Sequence, residues 1–279
     1  MQNNLTTLHH HQRVNLHTHS WYCGHGRGEL FEYVDEAKRL GFTALGLSEH
    51  CPLPDHKYSS SRMEFHQLED YMEECRALQQ ENSSLEILCG FECDHHSDYE
   101  SWYKETLIES RFADYLIFGV HYLDDSYLSH LPPTKKMLHA YTNLYLEGLQ
   151  SGLYHVGVHP DLFGNFYVEW DSETEACSRA IMECAVENNI PLEINAHGFR
   201  KRMISTSKGK RYQYPQKNFW LLAKEYDVKV VINSDAHAPS HLDLANNGSY
   251  PLAEEIGLTL SNWYIGTSSN GEKILEVEK

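Results

Sequence analysis

The chain has 279 residues, 41% of them hydrophobic, which is enough for one (β/α) barrel of roughly 250 residues or for two small domains. The formal net charge of -17 argues against a large nucleic-acid interface, because such a surface repels a phosphate backbone. Seven cysteines without a CxxC pair, a polar N-terminus and no run of 18 apolar residues predict a cytoplasmic protein with reduced thiols and no membrane association.

Apolar runs without alternation recur along the chain and are typical of buried parallel strands. They predict strands at 13–16, 43–47, 85–90, 115–120, 155–158, 191–194 and 229–232, with an eighth near 263–266. Between them, helical patterns predict helices at 29–40, 63–80, 101–110, 135–150, 173–188 and 215–226. Strands that alternate with helices indicate a parallel α/β sheet, and about seven such units favour closure into a barrel. An open doubly wound sheet is the alternative, although no GxGxxG motif follows the first strand.

Polar residues with metal-binding or hydrogen-bonding side chains follow the predicted strands. In chain order the strands end in His17-Thr18-His19, Ser48-Glu49-His50, Phe91-Glu92, His121, His159-Pro160-Asp161, Glu193-Ile194-Asn195 and Asn233-Ser234-Asp235-Ala236-His237, and His25 lies six residues after His19. The carboxyl ends of barrel strands meet at one mouth, where catalytic groups from several strands collect. The sequence therefore predicts one composite site.

The spacing of two motifs fits shared metal coordination. Residues i and i+2 of a strand lie on the same face, so His17 and His19 can reach one ion, and so can Asp235 and His237. Imidazoles combined with carboxylates suit Zn²⁺, Mn²⁺ or Fe. A single histidine after a strand is usually an ordinary polar residue, but metal-competent or hydrogen-bonding groups at all seven strand ends favour a metal centre.

The other polar residues carry a weaker signal. Glu49 either orients a histidine beside a metal or is a solvated loop residue. Cys23 lies beside the predicted site, but it is not expected to be a nucleophile. No role is assigned to 9–11, a run of three histidines, and the histidines without a strand-end position are predicted to be ordinary polar residues: His130, His139, His155, His197 and His241.

Taken together, these motifs resemble the PHP (polymerase and histidinol phosphatase) superfamily. The resemblance covers most of the chain and rests on the HxH opening with a third histidine six residues later, the strand-end EH, Glu92, the GVH, the HP and the closing SDAH. Further segments are similar to the monofunctional histidinol-phosphate phosphatases of that superfamily: Cys23-Gly24-His25, 48–54, Arg62-Met63, 90–94, Glu193-Ile194-Asn195, Gly198-Phe199-Arg200 and Tyr214-Pro215.

The resemblance implies a distorted (β/α)7 TIM-like barrel with three divalent metal ions of zinc, manganese or iron. One ion would be held by His17, His19, Glu92 and Asp235, a second by Glu92, His121 and His159, and the third by His25, His50 and His237. The implied activity is hydrolysis of L-histidinol phosphate in histidine biosynthesis. A single domain is expected over 1–279, with 1–12 as a flexible extension.

The expected substrate is a small phosphorylated molecule. Arg200 and Arg62 are the candidates for binding its phosphate, because a guanidinium binds two oxygens at once. Asn195 and Tyr122 are further candidate substrate contacts, the latter by stacking on an imidazole. Asp235 and His237 are candidates for proton transfer, with Arg200 as a third catalytic candidate.

One segment departs from the family pattern. Relatives are expected to carry a basic residue shortly after the His-Pro-Asp-Leu motif, whereas this chain has Phe163-Gly164-Asn165-Phe166. The departure bears on the substrate and not on the metal chemistry. Three other functions are weighed beside the implied one: a PHP phosphoesterase for another small monoester such as a nucleotide or sugar phosphate, a PHP exonuclease, and a metal-binding protein without activity. The acidic composition argues against the exonuclease.

Overall fold

Seven parallel strands form the central sheet of the computed structural model, which describes residues 6–123, 125–244 and 247–279. The strands are β1 (Thr6–His9), β2 (Val14–Asn15), β3 (Ala44–His50), β4 (Glu86–Asp94), β5 (Tyr115–Gly119), β6 (Tyr122–Leu123), β7 (Ser126–Tyr127), β8 (Val156–Gly157), β9 (Leu192–Asn195), β10 (Ile204–Thr206), β11 (Gly209–Arg211), β12 (Val230–Asn233), β13 (Asn262–Thr267) and β14 (Lys273–Glu278). The helices are α1 (Leu30–Leu40), α2 (Leu68–Glu81), α3 (Glu100–Trp102), α4 (Lys135–Gln150), α5 (Ser172–Glu187), α6 (Lys217–Leu222) and α7 (Ser249–Ile256).

The order of the parallel sheet is β12-β9-β8-β5-β4-β3-β2, so strands that follow one another in the barrel also follow one another in the chain. The connections between barrel strands carry the helices α1 to α6, which pack on the outside of the sheet. This is the α/β barrel that the alternating pattern predicts. The third connection differs in detail, because α3 continues as a π-helix over Tyr103–Glu109.

The barrel closes where β12 meets β2. Thr18 and Ala236 form an isolated parallel bridge across this seam. Two buried asparagines add bonds to it: Asn233 Oδ1 accepts from the Leu16 N–H at 2.7 Å, and Asn15 Oδ1 accepts from the Ser234 N–H at 2.6 Å. Side-chain amides therefore supply hydrogen bonds that short strands leave unmade.

A small antiparallel sheet, in the order β1-β13-β14, packs against the barrel interior. Trp263 and Ile265 of β13 are buried in the same cluster as Val14 and Ala44, which begin β2 and β3. The predicted eighth strand is therefore real, but it covers the amino-terminal end of the barrel instead of joining the barrel sheet.

The predicted flexible extension needs a correction over its second half. Residues Thr6–His9 form β1 and pair with one edge of β13. The Trp263 side chain of β13 is buried against the amino-terminal end of the barrel. Positions 1–5 of the predicted extension lie outside the described residues. Among the described residues, the hairpins β6–β7 and β10–β11 and the helix α7 are elements that the sequence pattern did not predict.

The sequence made predictions about the cysteines and about membrane association, and the structure describes the cysteines and the helices on which they depend. All seven cysteines are buried and free. No helix in the described ranges is both long enough and apolar enough to serve as a membrane span.

The seam makes a prediction about stability. Substitution Asn233→Leu removes the acceptor of the Leu16 N–H and a donor to Glu193, so two buried groups lose a partner. We expect the free energy of unfolding to fall by about 2–4 kcal/mol, measured by urea denaturation. The control Asn143→Leu, at an exposed position of α4, should change it by less than about 0.5 kcal/mol. Equal effects of both substitutions would contradict this role of the seam.

Candidate metal centre

The carboxylate of Glu92, near the end of β4, lies at the centre of the barrel mouth. Its side chain is almost completely buried. Five histidines surround it: Oε2 lies 2.8 Å from His50 Nδ1, 3.3 Å from His19 Nε2 and 3.4 Å from His17 Nε2, and Oε1 lies 2.7 Å from His159 Nε2 and 3.6 Å from His121 Nε2. The strand ends therefore converge as their spacing predicts.

Asp235, after β12, completes one group of facing donor atoms. Its Oδ1 lies 3.3 Å from His19 Nε2 and 3.7 Å from His17 Nε2. Four buried atoms of this group have no hydrogen-bond partner: His17 Nε2, His19 Nε2, Glu92 Oε2 and Asp235 Oδ1. Leaving so many buried polar atoms unpaired is costly, and one divalent cation would satisfy all four. These donors therefore fit the metal that the sequence predicts.

A second set of histidines lies further out at the mouth. His25 Nε2 and His237 Nε2 are 3.1 Å apart. The ligand atoms of His19, His50 and His237 also lie within 4.8 Å of one another, as do those of His50, Glu92 and His121. His50 thus stands between Glu92 and His237 and belongs to both groups of potential ligands.

Charge states in the cluster favour metal binding. Burial opposes ionisation of Glu92, but His17, His121 and His50 outweigh it and hold the pKa of Glu92 well below its usual range. Burial lowers the pKa of His50 to about 4, which keeps that imidazole neutral with a lone pair to donate. His17 differs, because Glu193, Glu92 and Asp235 raise its pKa well above the ordinary value despite burial.

A buried carboxylate behind His17 fixes the orientation of that ring. Glu193 Oε2 lies 2.9 Å from His17 Nδ1, which directs Nε2 towards Glu92. Asn195 and Asn233 in turn donate to the two oxygens of Glu193, at 2.8 and 3.0 Å. A carboxylate that orients a ligand histidine in this way is common behind metal sites.

Asp94 plays the same part for His121. Its Oδ1 accepts from the backbone N–H of His121 at 2.8 Å and lies 3.0 Å from His121 Nδ1. Its Oδ2 accepts from Arg62 Nη2 at 2.6 Å, and Arg62 Nη1 donates to the carbonyl of Cys51 at 2.7 Å. The guanidinium of Arg62 is therefore committed to protein acceptors at both terminal nitrogens.

Glu49 is one of the residues for which the sequence left two interpretations open. Its side chain is buried, accepts a hydrogen bond from the Ser20 N–H and lies 3.9 Å from His19 Nδ1. This placement excludes the solvated-loop interpretation and puts the carboxyl group behind a histidine of the cluster. Burial raises the pKa of Glu49 to about 8.

A cavity of about 260 Å³ opens onto the cluster. Besides six of the predicted ligands, it is lined by Ser61, Arg62, Asp94, Tyr122, Tyr127, Leu162, His197, Lys201 and Tyr214. Of the predicted substrate contacts, Tyr122 and Arg62 therefore face this space.

Arg200 and Asn195 do not line the cavity. Arg200 lies at the end of the short 3-10 turn His197–Arg200 and donates to the carbonyl of His241 at 2.8 Å. Asn195 is buried, and its amide nitrogen donates to Glu193 and Asp235. Its Oδ1 accepts from the His197 N–H at 2.9 Å. Arg200 therefore lies outside the cavity lining, and Asn195 holds Asp235.

Sequence reasoning missed four residues of this site: Asp94, Glu193 as a partner of His17, His197 and Lys201. The i, i+2 spacing that singled out His17 and His19 also relates Glu92 to Asp94 within β4 and Asn195 to Glu193 within β9, so it could have found two of them. The His197 ring lies 4.8 Å from that of His237, and it was expected to be an ordinary polar residue. No sequence signal pointed to Lys201.

An α/β barrel with clustered histidines and carboxylates at its mouth defines a divalent-metal enzyme. A family model described as a PHP domain matches residues 15–197, which is more than half of the chain. This chain belongs to the PHP family.

Relatives and a solved structure resemble the chain over most of its length. A "Probable histidinol-phosphatase" of Deinococcus radiodurans is 29% identical over 81% of this chain and 86% of its own. The histidinol-phosphatase of Bacillus subtilis is 27% identical, over 81% and 94%. The fold is similar to that of a histidinol phosphate phosphatase from Lactococcus lactis, crystallised with zinc, L-histidinol and phosphate, with a TM-score of 0.70, 18% identity and coverage of 96% and 99%.

The partner of His17 makes a prediction about metal affinity. Substitution Glu193→Gln keeps the shape of the side chain but removes the charge that orients His17 Nδ1. We expect the affinity for divalent metal to fall roughly 10- to 100-fold, measured by competition with a chromogenic chelator. The control Glu105→Gln, at an exposed position, should bind metal like the wild type. Unchanged affinity in Glu193→Gln would show that the negative charge of Glu193 is not needed to orient the ring.

Proposed function

We propose that this chain is a metal-dependent phosphatase that hydrolyses L-histidinol phosphate to L-histidinol and inorganic phosphate. The observation that carries the proposal is the set of buried, unpartnered donor atoms around Glu92 at the floor of a cavity. The resemblance to relatives named histidinol-phosphatase supports the choice of substrate.

We assign three divalent ions to the nine clustered ligands. His17, His19, Glu92 and Asp235 would hold one, Glu92 with His121 and His159 a second, and His25 and His237 with His50 the third. The donor set fits zinc, manganese or iron, and the zinc of the Lactococcus lactis structure supports zinc. When bound, such ions neutralise the charge of a phosphate and make a water molecule more acidic.

Asp235 and His237 are the residues that we assign to proton transfer. Asp235 Oδ2 accepts from Asn195 at 3.1 Å, which leaves Oδ1 facing the cluster and the cavity. His17 and His197 outweigh burial and hold the pKa of Asp235 well below its usual range, so its carboxylate is ionised. His237 Nδ1 lies 3.0 Å from the carbonyl of Asp235, which directs Nε2 towards the mouth.

An aromatic wall supports recognition of an imidazole ring. Tyr122 stacks on Tyr58 at 3.8 Å between ring centroids and meets Tyr127 edge-on at 5.4 Å. Its hydroxyl bonds with Ser61 Oγ at 2.6 Å, so the ring is held in place beside the cavity. A flat ring of the substrate can pack against such a preformed surface at small entropic cost.

Substrate choice is tested by phosphate release from L-histidinol phosphate beside a panel of nucleotide and sugar phosphates. We expect kcat/KM for L-histidinol phosphate to exceed every panel value by about a hundredfold or more, because the aromatic wall selects the leaving alcohol. Activity on panel members but not on L-histidinol phosphate would support a metal-dependent phosphatase and contradict the proposed substrate.

The ligand assignment is tested by the variant Glu92→Ala. Because Glu92 contacts histidines of two proposed ion sites, we expect the loss of at least one equivalent of tightly bound metal, measured by elemental analysis after dialysis. Circular dichroism checks that the variant is folded, and Glu105→Ala serves as the exposed control. Full metal content in folded Glu92→Ala would overturn the bridging role.

A further inference from the structure

One arginine and one lysine line the cavity, Arg62 and Lys201, and they differ in what they contact. Arg62 is buried, and its terminal nitrogens already bond with Asp94 and the Cys51 carbonyl. Lys201 has no hydrogen-bond acceptor and no ion pair in the described part of the chain; its Nζ lies 4.8 Å above the ring of Tyr214. A partly buried ammonium with three unmet donors is poised for an external anion.

The backbone around Lys201 holds it at the mouth. Its N–H donates to the carbonyl of Gly198 at 3.1 Å, which ends the turn after β9. Gly198 packs so closely on Tyr214 that any Cβ there would collide with the Tyr214 carbonyl oxygen. Tyr214 is itself buried, and its ring lies 6.4 Å from that of His159 in the metal cluster. Lys201 is thereby fixed between the cluster and solvent.

Among the described residues that line the cavity, Lys201 is the lysine or arginine without a protein acceptor. The segment 161–166 after β8 has no lysine or arginine; its Leu162 lines the cavity, and Phe163 and Phe166 are buried. The stretch 200–211 is strongly basic, but Arg200 and Arg211 bond with backbone carbonyls. Of the cations in that stretch, Lys201 is the one that lines the cavity.

We propose that Lys201 binds the phosphate group of the substrate, donating its N–H groups to oxygens that the metals do not hold. This inference rests on the proposed phosphatase function. A compact ammonium suits a dianionic phosphate, and the positive charge counters the repulsion from a chain of net charge -17. It also supplies the basic group that 163–166 lacks.

The test is calorimetric titration of inorganic phosphate into metal-loaded protein. We expect Lys201→Met to raise the Kd for phosphate roughly 10- to 100-fold, because a charged hydrogen bond to a charged group is lost. Lys201→Arg should restore most of the affinity, and metal content should equal that of the wild type in all variants. The matched control Lys210→Met changes an exposed lysine of the same basic stretch and should bind phosphate normally.

The outcomes separate this assignment from the proposed function. Wild-type phosphate affinity in Lys201→Met with full metal content overturns the role of Lys201, as does the absence of phosphate binding by the wild-type protein. A tenfold or larger loss in Lys201→Met but not in Lys210→Met supports it, even where L-histidinol phosphate is not hydrolysed. In that last case the substrate proposal fails and the phosphate site stands.

Discussion

The charge of Glu92 is buried among five histidines, and the architecture of the barrel mouth follows from keeping that charge ionised. A buried carboxylate is tolerated when cations or hydrogen-bond donors surround it. Here the histidines come from the ends of β2, β3, β5 and β8, so the sheet must curve around Glu92 before the charge is compensated. The asparagine seam between β12 and β2 brings His17 and Asp235 to the same place, which links the closure of the fold to the assembly of the metal site.

A second layer of residues sets the direction of the ligands. Glu193 orients His17, and Asp94 orients His121, each through Nδ1, so that the Nε2 atoms face Glu92. The backbone contributes as well, because Asp235 has a φ of 46° and so lies in the left-handed region that residues with a Cβ rarely adopt. Such strain at a ligand persists only where its surroundings hold it, and Asn195 does so from behind.

The cavity resolves an electrostatic conflict. The protein is strongly acidic, yet the proposed substrate is a dianion. Divalent ions held by the Glu92 cluster would reverse the local field at the floor, and Lys201 lies on the wall. Arg62 contributes differently, because its guanidinium donates a hydrogen bond to Asp94. With His121, it keeps the Asp94 carboxylate ionised and directed towards His121. The aromatic wall around Tyr122 then leaves an apolar place for the rest of the substrate.

The sequence by itself determined the barrel and the convergence of its ligands. Apolar strand patterns are local, residues i and i+2 of a strand lie on one face, and the carboxyl ends of parallel barrel strands meet at one mouth. It could not determine what each polar side chain contacts across the barrel. Arg62 turns to Asp94, Asn195 to Asp235, and Arg200 to a backbone carbonyl, although all three had been candidates for the substrate. Only the tertiary structure decided these pairings, since a buried donor bonds with whichever acceptor packing brings within reach, and that acceptor lies far away in the chain.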